Sequence, residues 1–321
     1  MLINEIIVLV VFLLSIATVY FLELWFVITF ALNKLRKRKQ PKILLTKFSV
    51  LVHILAVIGV ICFLYGYFIE PYWIEVKMVP IQTDKLKHTS FRVVQISDFH
   101  CEKKVRKEKR TVELINKLEP DVIVFTGDAV NTPSALPVFK DAMKNLNASI
   151  GKFAVYGNWE IWHWPGLDYY SQTDFQLLNA ETIMLDKNDE TLFVSGLSCD
   201  NPRAAGKVLQ DLSADRFNIF LYHYPDLIED VEDYHIDLYL CGHTHGGQVA
   251  LPFYGALMTL SRYGKKYESG LYIVNGTKLY VNRGIGLDAW PAPQVRFLAR
   301  PEITVFDIGP KNRLTGDNEA E

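Results

Sequence analysis

Five short stretches of this sequence combine carboxylate, imidazole and amide side chains at close spacing. They are Ser97-Asp98-Phe99-His100, Gly127-Asp128, Gly157-Asn158-Trp159-Glu160, His223 and Gly242-His243-Thr244-His245. Such side chains are ligands of divalent metals like manganese, iron and zinc. A single catalytic ion that keeps one coordination position open cannot bind so many ligands, whereas two ions that share a bridging carboxylate can. We therefore predict a dinuclear metal site with these ligands: Asp98, His100, Asp128, Asn158, His223, His243 and His245.

Each stretch follows a segment with the composition of a β-strand. These β-branched and aromatic runs are 91–96, 122–126, 153–156, 219–222 and 238–241. Because ligands bind at the carboxyl ends of strands in open α/β sheets, the strand ends would bring the polar side chains to one rim. Further strands are predicted at 192–195, 271–274, 279–282 and 303–306, and helices at 105–118, 138–146, 204–212 and 226–234. This arrangement predicts a layered α/β fold with mixed sheets.

Taken singly, an Asp-x-His, a Gly-Asp or a buried histidine has an ordinary structural explanation. In this order, however, the motifs resemble the signature of the calcineurin-like metallophosphoesterase family: Asp-x-His, Gly-Asp, Gly-Asn-His-(Asp/Glu), His and Gly-His-x-His. The resemblance extends over nearly all of 91–306. The run from Gly242 to Gln248, and an Arg-Gly-x-Gly that begins at Arg283, are similar to a membrane-linked branch of that family. The resemblance implies a four-layer α/β/β/α sandwich, here preceded by two transmembrane helices.

The resemblance also assigns roles to the ligands. One metal would be held by Asp98, His100 and His245 and the other by Asn158, His223 and His243, with Asp128 between them. Asp128 and Asn158 would thereby take part in catalysis. The ions, with manganese expected and iron or zinc as alternatives, would activate water for attack on phosphorus. The implied enzyme is a metal-dependent hydrolase of phosphoric esters or pyrophosphates.

One position departs from the family signature, because Trp159 stands where a histidine is expected to protonate the leaving oxygen. An indole N–H is a hydrogen-bond donor but not a usable acid. Either the leaving group departs unaided, which favours a phosphoanhydride or an activated diester, or another residue supplies the proton. His163 is the candidate, since it would share the pocket if 159–163 form a helical turn. The alternatives are that His163 only lies at the pocket surface, or that the protein binds a phosphate ligand without turnover.

The sequence also indicates residues that would contact a substrate and a class of compound that the substrate would belong to. Trp159 and Arg283 are predicted to contact the substrate, Arg283 by a bidentate bond to phosphate, although a structural salt bridge is equally common there. The branch is also similar to UDP-2,3-diacylglucosamine pyrophosphatases, so a lipid-linked nucleotide is one candidate substrate. A general, outward-facing phosphodiesterase or phosphomonoesterase is the alternative.

Two apolar runs precede the predicted domain, and each has about the 20 residues that a bilayer crossing requires. The residues between them are strongly basic: Lys34, Arg36, Lys37, Arg38, Lys39, Lys42 and Lys47. By the positive-inside rule this link is cytoplasmic, which places the catalytic domain outside a cell membrane that the chain crosses twice. UDP-sugars are cytoplasmic, so this orientation opposes the lipid-nucleotide candidate. Two buried helices of a soluble core are the alternative to membrane spans.

The predicted organisation is a first transmembrane helix in 1–32, a basic link in 33–47, a second transmembrane helix in 48–68, a connecting segment in 69–90, the metallophosphoesterase domain in 91–308 and a polar tail in 309–321. The chain has 321 residues, a net charge of −2 and no basic cluster outside the link, so nucleic acid is not an expected partner. The expected partners are a phosphorylated small molecule and the membrane, and no obligate protein partner is inferred. The four cysteines lack the spacing of a zinc site.

Overall fold

The computed structural model describes residues 3–288 and 294–311, so the predicted polar tail lies outside the described residues beyond Lys311. The α-helices are α1 (Ile3–Leu35), α2 (Lys47–Phe68), α3 (Glu108–Lys117), α4 (Leu136–Lys144) and α5 (Ala205–Leu209). The strands are β1 (Glu75–Thr83), β2 (Phe91–Ile96), β3 (Val122–Phe125), β4 (Gly151–Ala154), β5 (Phe175–Leu177), β6 (Glu181–Lys187), β7 (Glu190–Gly196), β8 (Phe217–Leu221), β9 (Leu238–Cys241), β10 (Ala250–Leu251), β11 (Gly255–Ala256), β12 (Gly270–Val274), β13 (Thr277–Val281) and β14 (Glu302–Pro310).

Helices α1 and α2 are the two in the described part of the chain that are long and apolar enough to cross a membrane. They pack against each other, and the hydroxyl of Tyr20 in α1 donates to the carbonyl of Ala56 in α2 at 3.1 Å. Glu23, the charged residue inside the first apolar run, lies 2.6 Å from the Nδ1 atom of His53 on α2. A hydrogen-bonding partner on the neighbouring helix lowers the free-energy cost of placing an ionisable side chain in an apolar environment.

In the described residues the strands form two six-stranded sheets and a two-stranded hairpin. The first sheet has the order β1-β14-β2-β3-β4-β5, the second has the order β12-β13-β9-β8-β7-β6, and β10 pairs with β11. Strands β2, β3 and β4 are parallel, as are β7, β8 and β9, so their carboxyl ends lie at the same edges. Parallel pairing thus collects the residues that follow these strands.

The segment 69–90, predicted to be a connection, contains β1, which pairs in parallel with β14 along its whole length. The sequence signal for β1 is weak because it is an edge strand that includes Pro80 and buries only alternate residues in its second half. The predicted helix at 226–234 is instead a 3₁₀ helix, Pro225–Asp230. In this turn the carboxylate of Asp226 accepts a hydrogen bond from the backbone N–H of Arg262. The two residues are 36 positions apart, so no local sequence pattern predicts the contact.

Hydrophobic side chains fill three spaces between four layers. Residues of both sheets, such as Val93, Val124, Ile219 and Leu240, form one buried cluster, so the sheets pack face to face. A second cluster lies between the first sheet and α3 and α4, and a third lies between the second sheet and α5. The α/β/β/α architecture predicted from the resemblance is confirmed.

Candidate metal centre

All seven predicted ligands lie together at the carboxyl ends of five strands. Asp98 and His100 follow β2, Asp128 follows β3, Asn158 follows β4, His223 follows β8, and His243 and His245 follow β9. Within the described residues, they form two groups in which the donor atoms lie within 4.8 Å of one another: Asp98 with His100 and His245, and Asp128 with His223 and His243. The predicted rim therefore exists in the folded chain.

Asn158 and Asp128 complete the arrangement. The Oδ1 atom of Asn158 is 3.0 Å from His223 Nε2, which places its amide oxygen with the second group. Asp128 Oδ2 is 3.2 Å from His223 Nε2 and 3.7 Å from His100 Nε2, so this carboxylate reaches both groups. A carboxylate in this position can bridge two ions.

The backbone at the rim is strained in a way that strand ends do not require. Five of the predicted ligands have a positive φ, between 42° and 72°. They are Asp98, His100, Asp128, His243 and His245. Non-glycine residues seldom adopt this conformation, which costs on the order of 1 kcal/mol or more each and is concentrated at functional sites. The turns aim neighbouring side chains at a common centre.

Two glycines allow the close approach of these turns. A Cβ atom on Gly157 would lie 2.3 Å from Asp128 Oδ1, and one on Gly242 would lie 2.1 Å from Asp98 Oδ2. Neither distance is possible for real atoms, so any side chain at Gly157 or Gly242 would displace a predicted ligand.

The protonation chemistry of the site fits metal ligands. Burial lowers the pKa of His243 to about 3 and lowers that of His245 well below its usual value. Both imidazoles are therefore neutral at pH 7, the form that has a free lone pair. The Nε2 atoms of His100 and His245 lie 3.2 Å apart, close enough to share either one hydrogen bond or one cation. The donor set thus suits hard-to-intermediate divalent ions.

His223 and Asp128 behave as an ion pair without a metal. Burial lowers the pKa of His223, but Asp128 and then Asp98 oppose this and raise it to about 9. Burial likewise opposes ionisation of Asp128, yet His223 and His100 lower the pKa of Asp128 to about 2. The Nδ1 atom of His223 lies 2.7 Å from the carbonyl of Thr126, which leaves Nε2 as the atom aimed at the site. A metal bound at Nε2 must displace a proton.

Two residues that the sequence reasoning did not single out hold the predicted ligands in place. Glu160 is buried, and its carboxylate accepts the backbone N–H groups of Asp128, Ala129 and Gly157 at 3.0, 2.5 and 2.7 Å. Asn131 Oδ1 lies 2.8 Å from His100 Nδ1 and so orients that ring. Glu160 ends the third motif stretch, three residues after Gly157, and Asn131 lies three residues after Asp128. Their nearness to predicted ligands in the sequence was the signal that could have identified them.

An open cleft of about 590 Å³ adjoins the second group of ligands. Asn158, Trp159 and His163 line the cleft together with His243. The segment Trp159–His163 forms one turn of π-helix, and this turn stacks the Trp159 and His163 rings at 4.3 Å. The Trp159 ring also meets His100 edge-on at 5.2 Å. An aromatic surface therefore occupies the position where the family signature has its histidine.

Arg283 does not reach this cleft as a free cation. Its guanidinium forms ion pairs with Glu75 and with Glu302, the latter with Nε 2.6 Å from Oε2 but without hydrogen-bond geometry. Arg283 is not among the residues that line the cleft. The structure favours the salt-bridge alternative for Arg283, and its predicted contact with substrate has no support in the geometry.

Comparisons with known proteins agree with this geometry. The family model described as calcineurin-like phosphoesterase matches residues 91–247. The chain is 36% identical over 269 residues to the uncharacterized metallophosphoesterase YkuE of Bacillus subtilis, an alignment that covers 77% of this chain and 91% of that protein. The chain belongs to the calcineurin-like phosphoesterase family.

Two more distant relatives of this phosphoesterase have names that state an activity. It is 27% identical to phosphodiesterase YaeI of Escherichia coli, over 76% of this chain and 92% of that protein. It is 26% identical to UDP-2,3-diacylglucosamine pyrophosphatase LpxG of Chlamydia trachomatis, over 67% of this chain and 82% of that protein. The predicted enzyme class, a metal-dependent hydrolase of phosphoric esters or anhydrides, is confirmed.

Proposed function

We propose that this phosphoesterase is anchored in the membrane by α1 and α2, holds two divalent ions and hydrolyses a phosphodiester or phosphoanhydride of a lipid-linked substrate. The observation that carries the two-metal proposal is the position of Asp128 Oδ2, within 3.7 Å of a histidine nitrogen in each group of ligands. We assign one ion to Asp98, His100 and His245. We assign the other to Asn158, His223 and His243, with manganese as the expected metal.

The residues of the chain divide the work of such a reaction. When bound, the two ions supply the positive charge that activates water and neutralises phosphoryl oxygens. Asp128 fixes the separation of the two groups, and Asn158 adds a neutral oxygen donor that leaves the total negative charge low. The Trp159 ring, which lines the cleft beside Asn158, offers a flat apolar surface to the substrate.

We assign the proton transfer to the leaving oxygen to His163. Its ring lines the same cleft and is held in place by the stack on Trp159. If this is right, His163→Gln lowers turnover of an alkyl phosphodiester, whose leaving group has a high pKa, far more than turnover of a phosphoanhydride. Equal losses for the two substrates would show that His163 only shapes the cleft.

The lipid-linked substrate is supported by the membrane helices and by the name of the chlamydial relative. The basic link favours an outward-facing catalytic domain, as the positive-inside rule states. These two indications conflict for a cytoplasmic UDP-sugar, so the substrate and the orientation have to be tested together.

The test uses the full-length protein, purified in detergent and supplied with manganese. Its substrates are a nitrophenyl diester, a nitrophenyl monoester and UDP-2,3-diacylglucosamine. Release of UMP from the last would support the lipid-nucleotide substrate and place the domain in the cytoplasm, while cleavage of the diester alone would indicate a general outward-facing phosphodiesterase. Turnover that survives Asp128→Ala would refute the two-metal assignment. A protein that binds manganese and a phosphate ester but turns over none of the substrates would be a binding module. The reason to test for this outcome is Trp159, which replaces the histidine of the family signature.

A further inference from the structure

Three large apolar side chains of the catalytic domain are exposed near the membrane helices. Phe253, in the turn between β10 and β11, is fully exposed (112%), and Leu260 and Leu298 are about half exposed (49% and 50%). Phe253 has a φ of 65°, so the turn projects its side chain at some conformational cost. We call these three residues the apolar rim.

Hydrogen bonds tie the apolar rim to the ends of α1 and α2. Thr259, next to Leu260, donates its hydroxyl to the carboxylate of Glu5 in the first turn of α1 at 2.8 Å. The N–H of Leu298 donates to the carboxylate of Glu70, two residues after α2, at 2.9 Å. Glu5 and Glu70 are both buried, at 2% and 0% exposure, so these are packed junctions and not chance surface contacts.

The hairpin that carries Phe253 is part of the same assembly. Val249, just before β10, forms a β-bridge with Phe297. The neighbouring N–H of Arg296 donates to the carbonyl of Gly66 in α2 at 2.9 Å. The Phe297 ring also packs edge-on against Tyr65, with ring centroids 6.1 Å apart. The hairpin is therefore held against the last turn of α2.

The position of Gly66 sets the depth of this junction. The apolar run continues three residues beyond Gly66 to Ile69, which at about 1.5 Å per residue is about 5 Å. A domain that contacts α2 at Gly66 must reach past the end of that apolar run, to the boundary between lipid tails and headgroups. Tyr72 and Trp73, both about half exposed, follow at this end of α2, as aromatic residues do at membrane interfaces.

We propose that the apolar rim inserts into the boundary between headgroups and lipid tails of the leaflet that faces the catalytic domain, so that the metal cleft opens onto the lipid surface. The inference rests on the membrane anchoring proposed above and adds to it the direction from which a substrate enters. Leu260 connects the apolar rim to the metal cleft, since it lines the cleft and its carbonyl lies 3.5 Å from His243 Nε2. Arg262 also lines the cleft and supplies positive charge for lipid phosphates, because its side chain is exposed and its ion pair with Asp230, at 3.6 Å, is a weak surface pair. Lys265 is not available in this way, since its Nζ atom lies 2.5 Å from the carboxylate of Glu268.

The test measures the depth of fluorescent probes in lipid nanodiscs. The full-length protein is labelled with an environment-sensitive dye at Phe253→Cys in a Cys62→Ser background; the remaining cysteines, Cys101, Cys199 and Cys241, are buried. Gln82→Cys in the same background is the matched control, because Gln82 is exposed and lies about 23 Å along β1 from Glu75. A separate sample that keeps Cys62, labelled there and mixed with lipids that carry the nitroxide on the acyl chain, reports whether α2 lies in the bilayer, because Cys62 is seven residues, about 10 Å, inside the end of the apolar run. Circular dichroism and elution volume equal to those of the unmodified protein show that each variant is folded.

We expect lipids with a nitroxide near the headgroup to quench the probe at Phe253 and to leave the probe at Gln82 bright. Quenching at Cys62 without quenching at Phe253 would overturn the insertion of the apolar rim while leaving the anchoring intact. No quenching at either position would refute the anchoring and the insertion together. A blue shift at Phe253 without quenching would mean that a protein surface covers the residue, which also overturns the proposal.

Discussion

The carboxylate of Glu160 provides the sharpest test of how this site is held together. Its two oxygens accept three backbone N–H groups, from Asp128, Ala129 and Gly157. Burial and then Asp128 raise the pKa of Glu160 to about 7, so the carboxylate form is the main one at pH 8. Glu160→Gln replaces one acceptor oxygen with an NH2 group, which must then face an N–H donor.

The expected magnitude follows from those bonds. A hydrogen bond to a charged group contributes about 1.5–3 kcal/mol, and a buried donor left unsatisfied costs about 1–3 kcal/mol. Glu160→Gln loses at least one such bond and buries one unsatisfied N–H, so we expect destabilisation of roughly 2.5–6 kcal/mol. Because the lost bonds fix the turn that carries Asp128, a shift of about 1 Å there would lower turnover about 100-fold.

Glu190→Gln is the matched control for this experiment. Glu190 also accepts three backbone N–H groups, from Lys87, His88 and Thr89. These residues precede the amino end of β2, whereas the predicted metal ligands follow its carboxyl end. At pH 8 we expect Glu160→Gln to weaken manganese binding and turnover per folded molecule, and Glu190→Gln to affect stability alone. Equal activity losses in the two variants, or unchanged activity in Glu160→Gln, would refute the positioning role of Glu160.

The other predictions concern the ligands, the departure from the family signature and the ion pair. Asp128→Ala is expected to abolish turnover and to reduce bound manganese below two ions per chain, measured by elemental analysis. Trp159→His removes the ring on which His163 stacks, so it is expected to lower turnover of alkyl esters more than that of anhydrides; a selective rise for alkyl esters would mean that the native site has no acid for the leaving group and would oppose the assignment to His163. Because the pKa of His223 is raised to about 9, metal uptake should release a proton, and affinity should rise with pH up to about 9. Calorimetry in buffers of different ionisation enthalpy measures this release. Arg283→Ala removes the partner of two carboxylates and is expected to cost about 3–5 kcal/mol of stability while leaving KM unchanged; a raised KM at unchanged stability would instead support substrate binding.

The clustering of the predicted metal ligands could be inferred from the sequence because their chemistry and their placement are both local. Asp98, His100 and Asp128 each follow a strand-like run within a few residues, and parallel pairing of β2 and β3 requires those ends to meet. Runs of β-branched and aromatic residues also predicted most strands, and the two long apolar runs predicted α1 and α2. The edge strand β1 was missed because Pro80 interrupts it and its alternate burial is confined to its second half.

The sequence by itself determined which groups could do chemistry and that their strand ends share one rim. Only the tertiary structure decided which partner each polar group takes. Arg283 could have faced phosphate or carboxylate, and the pairing of β1 with β14 places Glu75 and Glu302 beside it. Glu160 could have faced solvent, yet the π-helical turn buries it under the Asp128 turn. The physical reason is distance along the chain. Contacts between residues that are far apart in sequence depend on how the two sheets and the helices α1 and α2 pack, and no local pattern encodes that packing.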